Sequence, residues 1–172
     1  MGDSTSKKDS HSERLEMTDD ADNRFMRLAI EQARIGCRAG NAPIGCVIVR
    51  NGGLVAAGHN QVVSDCDPTA HAEIVTIRKA SRLGSQSDLG GMTLYSTLQP
   101  CGMCTMASLW ANIARIVYGA SRAEVHPMYF EERHLATRDY IRDAYRDDIS
   151  LTGAILADDC AALYFQPSDD ER

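Results

Sequence analysis

Apolar residues follow two different spacings, which alternate along the body of this chain. Stretches with the spacing of an amphipathic helix are separated by short apolar runs typical of buried strands. Caps at Thr18, Asp19 or Asp20 begin the first predicted helix, which ends near Gly36. The predicted helices are about 18–35, 70–83, 101–112, 131–146 and 158–165. The predicted strands are about 44–49, 54–57, 93–97, 113–119 and 149–156, with a tight turn at 51–53 joining the first two.

This order of elements predicts one α/β domain. An opening hairpin followed by alternating helices and strands packs best as one mixed sheet with helices on both faces. Residues 1–17 are polar, and burying them would not offset the entropy lost on ordering, so they are predicted to be a disordered tail. Residues 166–172 are predicted to be an acidic C-terminal tail, which leaves 18–165 as the folded domain.

Composition narrows the class of protein. The 172 residues carry a net charge of -6, whereas nucleic-acid-binding proteins usually present a basic surface, so a nucleic-acid partner is disfavoured. The arginines between 115 and 146 alternate with acids, as on a solvated face. No apolar run approaches the ~20 residues of a membrane span, and no secretory signal is visible, so a cytoplasmic location is expected. Under these conditions six cysteines favour metal or catalytic use over disulfides.

Two short segments carry the candidate chemistry, DPTAHAE at 67–73 and PCGMC at 100–104. Cys101 and Cys104 are one turn apart at the start of a predicted helix, so both sulfurs point to a common centre. The helix dipole favours their thiolate forms, and thiolates suit zinc. His71 supplies a third ligand, which leaves a fourth position open, as in catalytic zinc sites.

Glu73 follows His71 by two residues, too short a step for both to bind one ion comfortably. It is better placed beside the open position, where a carboxylate can take a proton from an activated water and pass it to a leaving amine. The alternative is a structural zinc site with Cys66 or another cysteine as the fourth ligand. H-x-E followed by P-C-x-x-C is, however, the signature of zinc deaminases.

The segments 67–74 and 98–104 resemble the cytidine deaminase superfamily, within it the branch of bacterial guanine deaminases, yeast-type cytosine deaminases and tRNA adenosine deaminases. The resemblance runs from Arg24 to Phe165. It implies a three-layer α/β/α sandwich around a five-stranded mixed sheet and one Zn²⁺ per subunit. It also implies a homodimer or larger oligomer whose active site uses a neighbouring subunit. Gln99 stands where the family usually has Glu, at a position that is not a ligand.

The resemblance also implies contacts to the base. Asn60 matches an asparagine that hydrogen-bonds the base, although a turn residue at a strand end fits it equally well. Residues 43–45 match a loop near the base, with Ile44 in place of the common Phe. Trp110 matches a Trp-Ala pair of guanine deaminases, and a buried core Trp is the alternative. The predicted substrate contacts are Pro43, Asn60, Ala70 and Trp110.

A second proton shuttle is predicted at Glu132. In guanine deaminases a Phe followed by two acids lies after the fourth strand, and Phe130-Glu131-Glu132 stands at the matching distance. The alternative is a solvated acid at a helix start, where Glu is favoured in any case.

Three functions follow from these patterns. The first is a zinc-dependent hydrolytic deaminase of a free nucleobase or nucleoside, with a guanine-like purine or related amino-heterocycle ahead of cytosine. The second is a tRNA wobble adenosine deaminase, since residues 153–163 resemble those enzymes, although the chain lacks their basic C-terminal helix. The third is a non-catalytic zinc-binding subunit, which would be expected to have lost the glutamate that Glu73 supplies.

Overall fold

A computed structural model of the protein describes residues 6–126, 135–144, 146 and 148–164, with side chains described from residue 20 onward. None of the described helices is both long and apolar enough to cross a membrane. A short 3-10 helix, Arg122–Glu124, follows the fourth strand. The remaining elements are α1 Ser6–Arg38, β1 Gly45–Arg50, β2 Gly53–His59, α2 Ala72–Gly84, β3 Thr93–Leu98, α3 Gly102–Trp110, β4 Arg115–Ala120, α4 Thr137–Asp143, β5 Ser150–Thr152 and α5 Ala157–Ala161.

The five strands form one mixed sheet in the order β2-β1-β3-β4-β5. β1 pairs antiparallel with both β2 and β3, whereas β3, β4 and β5 run parallel. Asn51 and Gly52 connect β1 to β2, and both have positive φ, as a type I′ hairpin turn requires. The predicted hairpin and the predicted five-stranded mixed sheet are confirmed.

Two apolar cores separate the sheet from its helices. On one face, α1 packs Phe25, Met26 and Ala29 against the sheet, and α5 adds Cys160. On the other face, α2 and α3 pack against strand residues such as Ile48, Leu94 and Ile116. The predicted three-layer α/β/α sandwich is therefore confirmed. Its second core brings the N-termini of α2 and α3 beside the end of β3.

Several element bounds differ from the sequence prediction. α1 begins at Ser6 rather than near Thr18, because no Gly or Pro interrupts the chain between Ser6 and Gly36. β5 has three residues rather than eight, because Ala154 and Leu156 adopt positive φ and turn the chain away from the sheet. Within the described residues, the helix predicted at 131–146 is α4 alone. The bounds of the two tails stay predictions.

Arg115 was expected on a solvated face, and this was wrong. Its guanidinium donates two hydrogen bonds to Asp22, at 2.8 and 2.6 Å, and a third to Thr152 at 3.0 Å. The Tyr95 hydroxyl donates to the same Asp22 carboxylate at 2.8 Å. This cluster ties α1 to β3, β4 and β5.

Candidate metal centre and active site

The ends of two helices build the candidate metal centre. His71 is the N-cap residue of α2 and Cys101 is the N-cap residue of α3, both with extended backbone. Cys104 lies one turn into α3, fully buried. Because β3 ends at Leu98, only Gln99 and Pro100 separate the strand from Cys101. A short connection therefore fixes the two sulfurs at the carboxyl end of a central strand.

The three predicted ligands are brought together, with their donor atoms within 4.8 Å of one another. The His71 Nδ1 atom lies 3.8 Å from the Cys101 sulfur and 3.6 Å from the Cys104 sulfur. Tetrahedral zinc, with bonds of about 2.3 Å to sulfur and about 2.1 Å to nitrogen, holds such atoms about 3.6 Å apart. Two sulfurs and one imidazole nitrogen at these distances fit Zn²⁺. In the described part of the chain, no fourth His, Cys, Asp or Glu belongs to this cluster.

The pKa values of the two thiols of the centre are shifted in opposite directions. A hydrogen bond from Cys104 lowers the pKa of Cys101 to about 4, against the opposing effect of burial, and His71 adds a second hydrogen bond. The same hydrogen bond, together with burial, raises the pKa of Cys104 well above its usual value. The pKa of His71 is raised, first by its hydrogen bond to Cys101. Cation binding would therefore displace the Cys104 proton.

Glu73 lies beside the three donors and is 3% exposed. One carboxylate oxygen, Oε1, accepts a hydrogen bond of 3.1 Å from the Ser96 hydroxyl, and the other, Oε2, accepts from the Cys104 thiol at 3.4 Å. Burial raises the pKa of Glu73. A carboxylate whose pKa is raised by burial is better suited to accept a proton and return it than an exposed one. Sequence reasoning missed Ser96; its signal was a polar residue in the otherwise apolar inward register of β3.

A pocket of about 80 Å³ opens onto these groups. Three of its lining residues, Leu98, Gln99 and Arg122, were not predicted as site residues. Arg122, expected on a solvated face, lines the pocket, and its backbone N–H donates to the Gln99 side chain at 3.4 Å. Arg122 could not be recognised from spacing, because only the turn after β4 brings it to this edge of the sheet. The full lining is Ile44, His71, Glu73, Leu98, Gln99, Cys101 and Arg122.

Asn60 and the loop at Pro43 lie next to each other. The backbone N–H of Asn60 donates to the Ile44 carbonyl at 2.9 Å, and the adjacent Pro43 is buried. The Asn60 side-chain oxygen accepts from the Val62 N–H at 3.1 Å. Its side-chain nitrogen, by contrast, donates to no group in the described ranges. The carboxamide is thus oriented by the backbone through its oxygen, and Asn60 is not among the residues that line the pocket.

The other predicted site residues lie elsewhere. Ala70 is buried, but it lines a separate groove of about 390 Å³ along the outer side of α2. Trp110 is 73% exposed at the far end of α3, so the core alternative is wrong, and within one chain it does not line the pocket. Glu132 lies outside the described residues.

α4 braces the cysteine loop from outside, a contact that the sequence pattern did not suggest. The buried Thr137 hydroxyl donates to the Pro100 carbonyl at 2.9 Å. The Tyr140 ring covers Gly102, with its hydroxyl 2.6 Å from where a Cβ would lie. A side chain at position 102 would therefore have to displace the Tyr140 ring from the start of α3.

The chain is similar to known deaminases. A family model described as the cytidine and deoxycytidylate deaminase zinc-binding region matches residues 19–120. The tRNA-specific adenosine deaminase of Buchnera aphidicola subsp. Baizongia pistaciae (strain Bp) is 35% identical over 144 residues, covering 84% of this chain and 86% of that protein. The guanine deaminase of Bacillus subtilis (strain 168) is 37% identical over 109 residues, covering 63% and 70%.

A solved structure extends the likeness to the whole fold. The guanine deaminase from Nitrosomonas europaea superposes with a TM-score of 0.74 at 25% identity, covering 82% of this chain and 81% of that chain. The matched span of the family model contains both the DPTAHAE and PCGMC segments.

Proposed function

The chain belongs to the cytidine and deoxycytidylate deaminase family of zinc-binding proteins, and we propose that it hydrolytically deaminates a free nucleobase or nucleoside. A guanine-like purine or related amino-heterocycle is the first choice, and cytosine is the second. The observation that carries this proposal is Glu73, buried next to three zinc-type donors at a pocket of about 80 Å³.

His71, Cys101 and Cys104 would hold the metal. When bound there, Zn²⁺ would supply Lewis-acid polarisation and a water whose pKa is lowered to about 7. Three protein donors would leave one position for a non-protein ligand, and two of them, His71 and Cys101, line the pocket. This arrangement suits a catalytic site better than a structural one.

Glu73 moves the protons of the reaction. Water adds its oxygen to the amidine carbon of the base, and the exocyclic carbon–nitrogen bond breaks. Of the two water protons, one goes to the neighbouring ring nitrogen and the other to the departing amine, which leaves as ammonia. Glu73 accepts each proton on its carboxylate and delivers it, a role open to it because the group is buried and its pKa is raised. Glu132 is proposed as a second shuttle.

Asn60 orients the base. With its oxygen occupied by the Val62 N–H, its carboxamide can donate to a ring nitrogen or carbonyl of the substrate. Pro43 and Ala70 are proposed as further substrate contacts, since Pro43 precedes Ile44 and the Ala70 carbonyl accepts from the Gln61 N–H next to Asn60. We further propose a homodimer, in which the exposed Trp110 would contact substrate only across subunits.

A second candidate is deamination of adenosine in tRNA. It is favoured by the 35% identity to a tRNA-specific adenosine deaminase across 84% of this chain. Against it, the net charge of -6 is poorly suited to a phosphate backbone. tRNA binding that weakens steeply with salt, accompanied by inosine formation, would favour this candidate.

The test is an ammonia-release panel with the zinc-loaded protein on guanine, cytosine, adenine, their nucleosides, amino-triazines and tRNA. Release from a free base or nucleoside is expected. Glu73→Gln should keep its zinc and lose on the order of 10²- to 10⁴-fold in rate, whereas the exposed control Glu31→Gln should keep parental activity. Retained turnover in Glu73→Gln would overturn the mechanism, and inosine from tRNA alone would overturn the substrate class.

A further inference from the structure

Ser96 lies at the centre of the sheet with its side chain directed at the proposed active site. It belongs to β3, between Cys46 of β1 and Tyr118 of β4, and is fully buried. Leu94, two residues earlier, packs into the core under α2 and α3, and strand alternation places Ser96 on the same face. A hydroxyl in this apolar layer needs a hydrogen-bond partner to offset its loss of water.

The partner of Ser96 is the carboxylate of Glu73. The hydroxyl donates to Oε1 at 3.1 Å, and this is its only hydrogen bond among the described residues. Oε2 faces the other way, toward the Cys104 sulfur at 3.4 Å. A thiolate that ligates zinc has no proton to donate, so Ser96 is then the side-chain donor that still holds Glu73 in the described part of the chain.

We propose that Ser96 is a positioning residue for Glu73, a role that rests on the proposed hydrolytic function. By holding Oε1, Ser96 fixes the rotation of the carboxylate and keeps Oε2 on the side of the Cys104 sulfur, next to the proposed metal site. A hydroxyl can both donate and accept, so the contact persists while Glu73 gains and loses a proton. A misplacement of about 1 Å in such a group is enough to cost on the order of 10²-fold in rate.

The kinetic test compares zinc-loaded variants on the base turned over fastest in the panel. Ser96→Ala should lower kcat by roughly 10- to 100-fold with parental KM and zinc content, and Ser96→Thr, which keeps the hydroxyl, should recover most of kcat. Thr97→Val is the matched control, because Thr97 is on the opposite face of β3 and bonds Gly45 N–H and the Tyr164 hydroxyl. It should lose stability but keep kcat. Parental kcat in Ser96→Ala, or an equal loss in Thr97→Val, overturns the proposal.

A second measurement does not depend on turnover. Infrared difference spectra of the zinc-loaded parent against Glu73→Gln identify the Glu73 carboxylate bands. These bands should shift in Ser96→Ala and stay in place in Thr97→Val, and unshifted bands in Ser96→Ala would overturn the contact. If the panel finds no substrate, the proposed function fails while the spectra still decide what Ser96 holds. Should Ser96→Ala not fold, Ser96→Cys, a weaker donor of similar size, is measured with the same expectations.

Discussion

Replacing Asp22 by alanine should destabilise the protein without touching the candidate site. The Asp22 side chain is 4% exposed and accepts three hydrogen bonds, two from Arg115 and one from Tyr95. The Tyr95 pKa is raised by burial and by this contact, so its hydroxyl stays a donor across the accessible pH range. Alanine at position 22 would leave the Arg115 charge without its carboxylate partner in a largely buried setting.

The size of the effect follows from this environment. Removing one partner of a buried ion pair costs about 3–5 kcal/mol. The Arg115 side chain is still 27% exposed and keeps its hydrogen bond to Thr152, so the lower end, about 3 kcal/mol, is expected. For a chain of this length that corresponds to a fall in Tm of roughly 6–12 °C.

The assay is thermal unfolding at fixed zinc concentration, with Asp20→Ala as control because Asp20 is exposed on the same helix. A double-mutant cycle that combines Asp22→Ala with Arg115→Ala isolates the interaction between these two side chains from their other contacts. Its interaction free energy is expected to exceed about 1 kcal/mol. If Asp22→Ala lowers Tm no more than Asp20→Ala does, the reasoning that this cluster anchors α1 to the sheet is refuted.

Two further predictions concern the metal centre and the packing of α1. Cys104→Ser should lose stoichiometric zinc on dialysis, measured by elemental analysis, whereas the exposed Cys66→Ser should retain it; full zinc in Cys104→Ser would contradict the ligand set. Gly45→Ala should cost about 3 kcal/mol or prevent folding, because its Cβ would overlap the Ala29 backbone. Gly53→Ala meets only the Arg50 carbonyl at 3.4 Å and should be near neutral; equal denaturation midpoints for these two glycine variants would contradict the packing argument.

Much of the fold could be predicted because local patterns agree with it. The Asn51-Gly52 turn, the apolar runs of β1 and β3, and the helical spacing of α2 each point to the element observed. The prediction for β5 was wrong because an apolar run from 149 to 156 does not reveal the positive φ at Ala154 and Leu156. The predicted start of α1 was wrong, because a polar composition alone does not prevent a helix where no Gly or Pro interrupts it.

Some residues of the candidate site could likewise be predicted from the sequence, and others could not. His71, Cys101 and Cys104 could be placed from spacing, since a helical turn brings the cysteines together and the chemistry of soft ligands restricts the ion. Ser96 and Arg122 could not, because each reaches the site from a different strand or turn whose neighbours are decided by sheet order. From the sequence alone, Ser96 is one residue of a strand and Arg122 is one of several arginines on a solvated face.

The sequence by itself determined the metal donors and the acid beside them, because a ligand set is a matter of residue type and short spacing. Only the tertiary structure decided which groups surround that acid. Ser96 holds Glu73 because β3 lies under the first turn of α2, and Asn60 reaches Ile44 because the pairing of β1 with β2 places Gly45 opposite His59. These contacts join residues that are far apart in the sequence. Which of them become neighbours depends on how the strands pair, and the local sequence pattern does not show this.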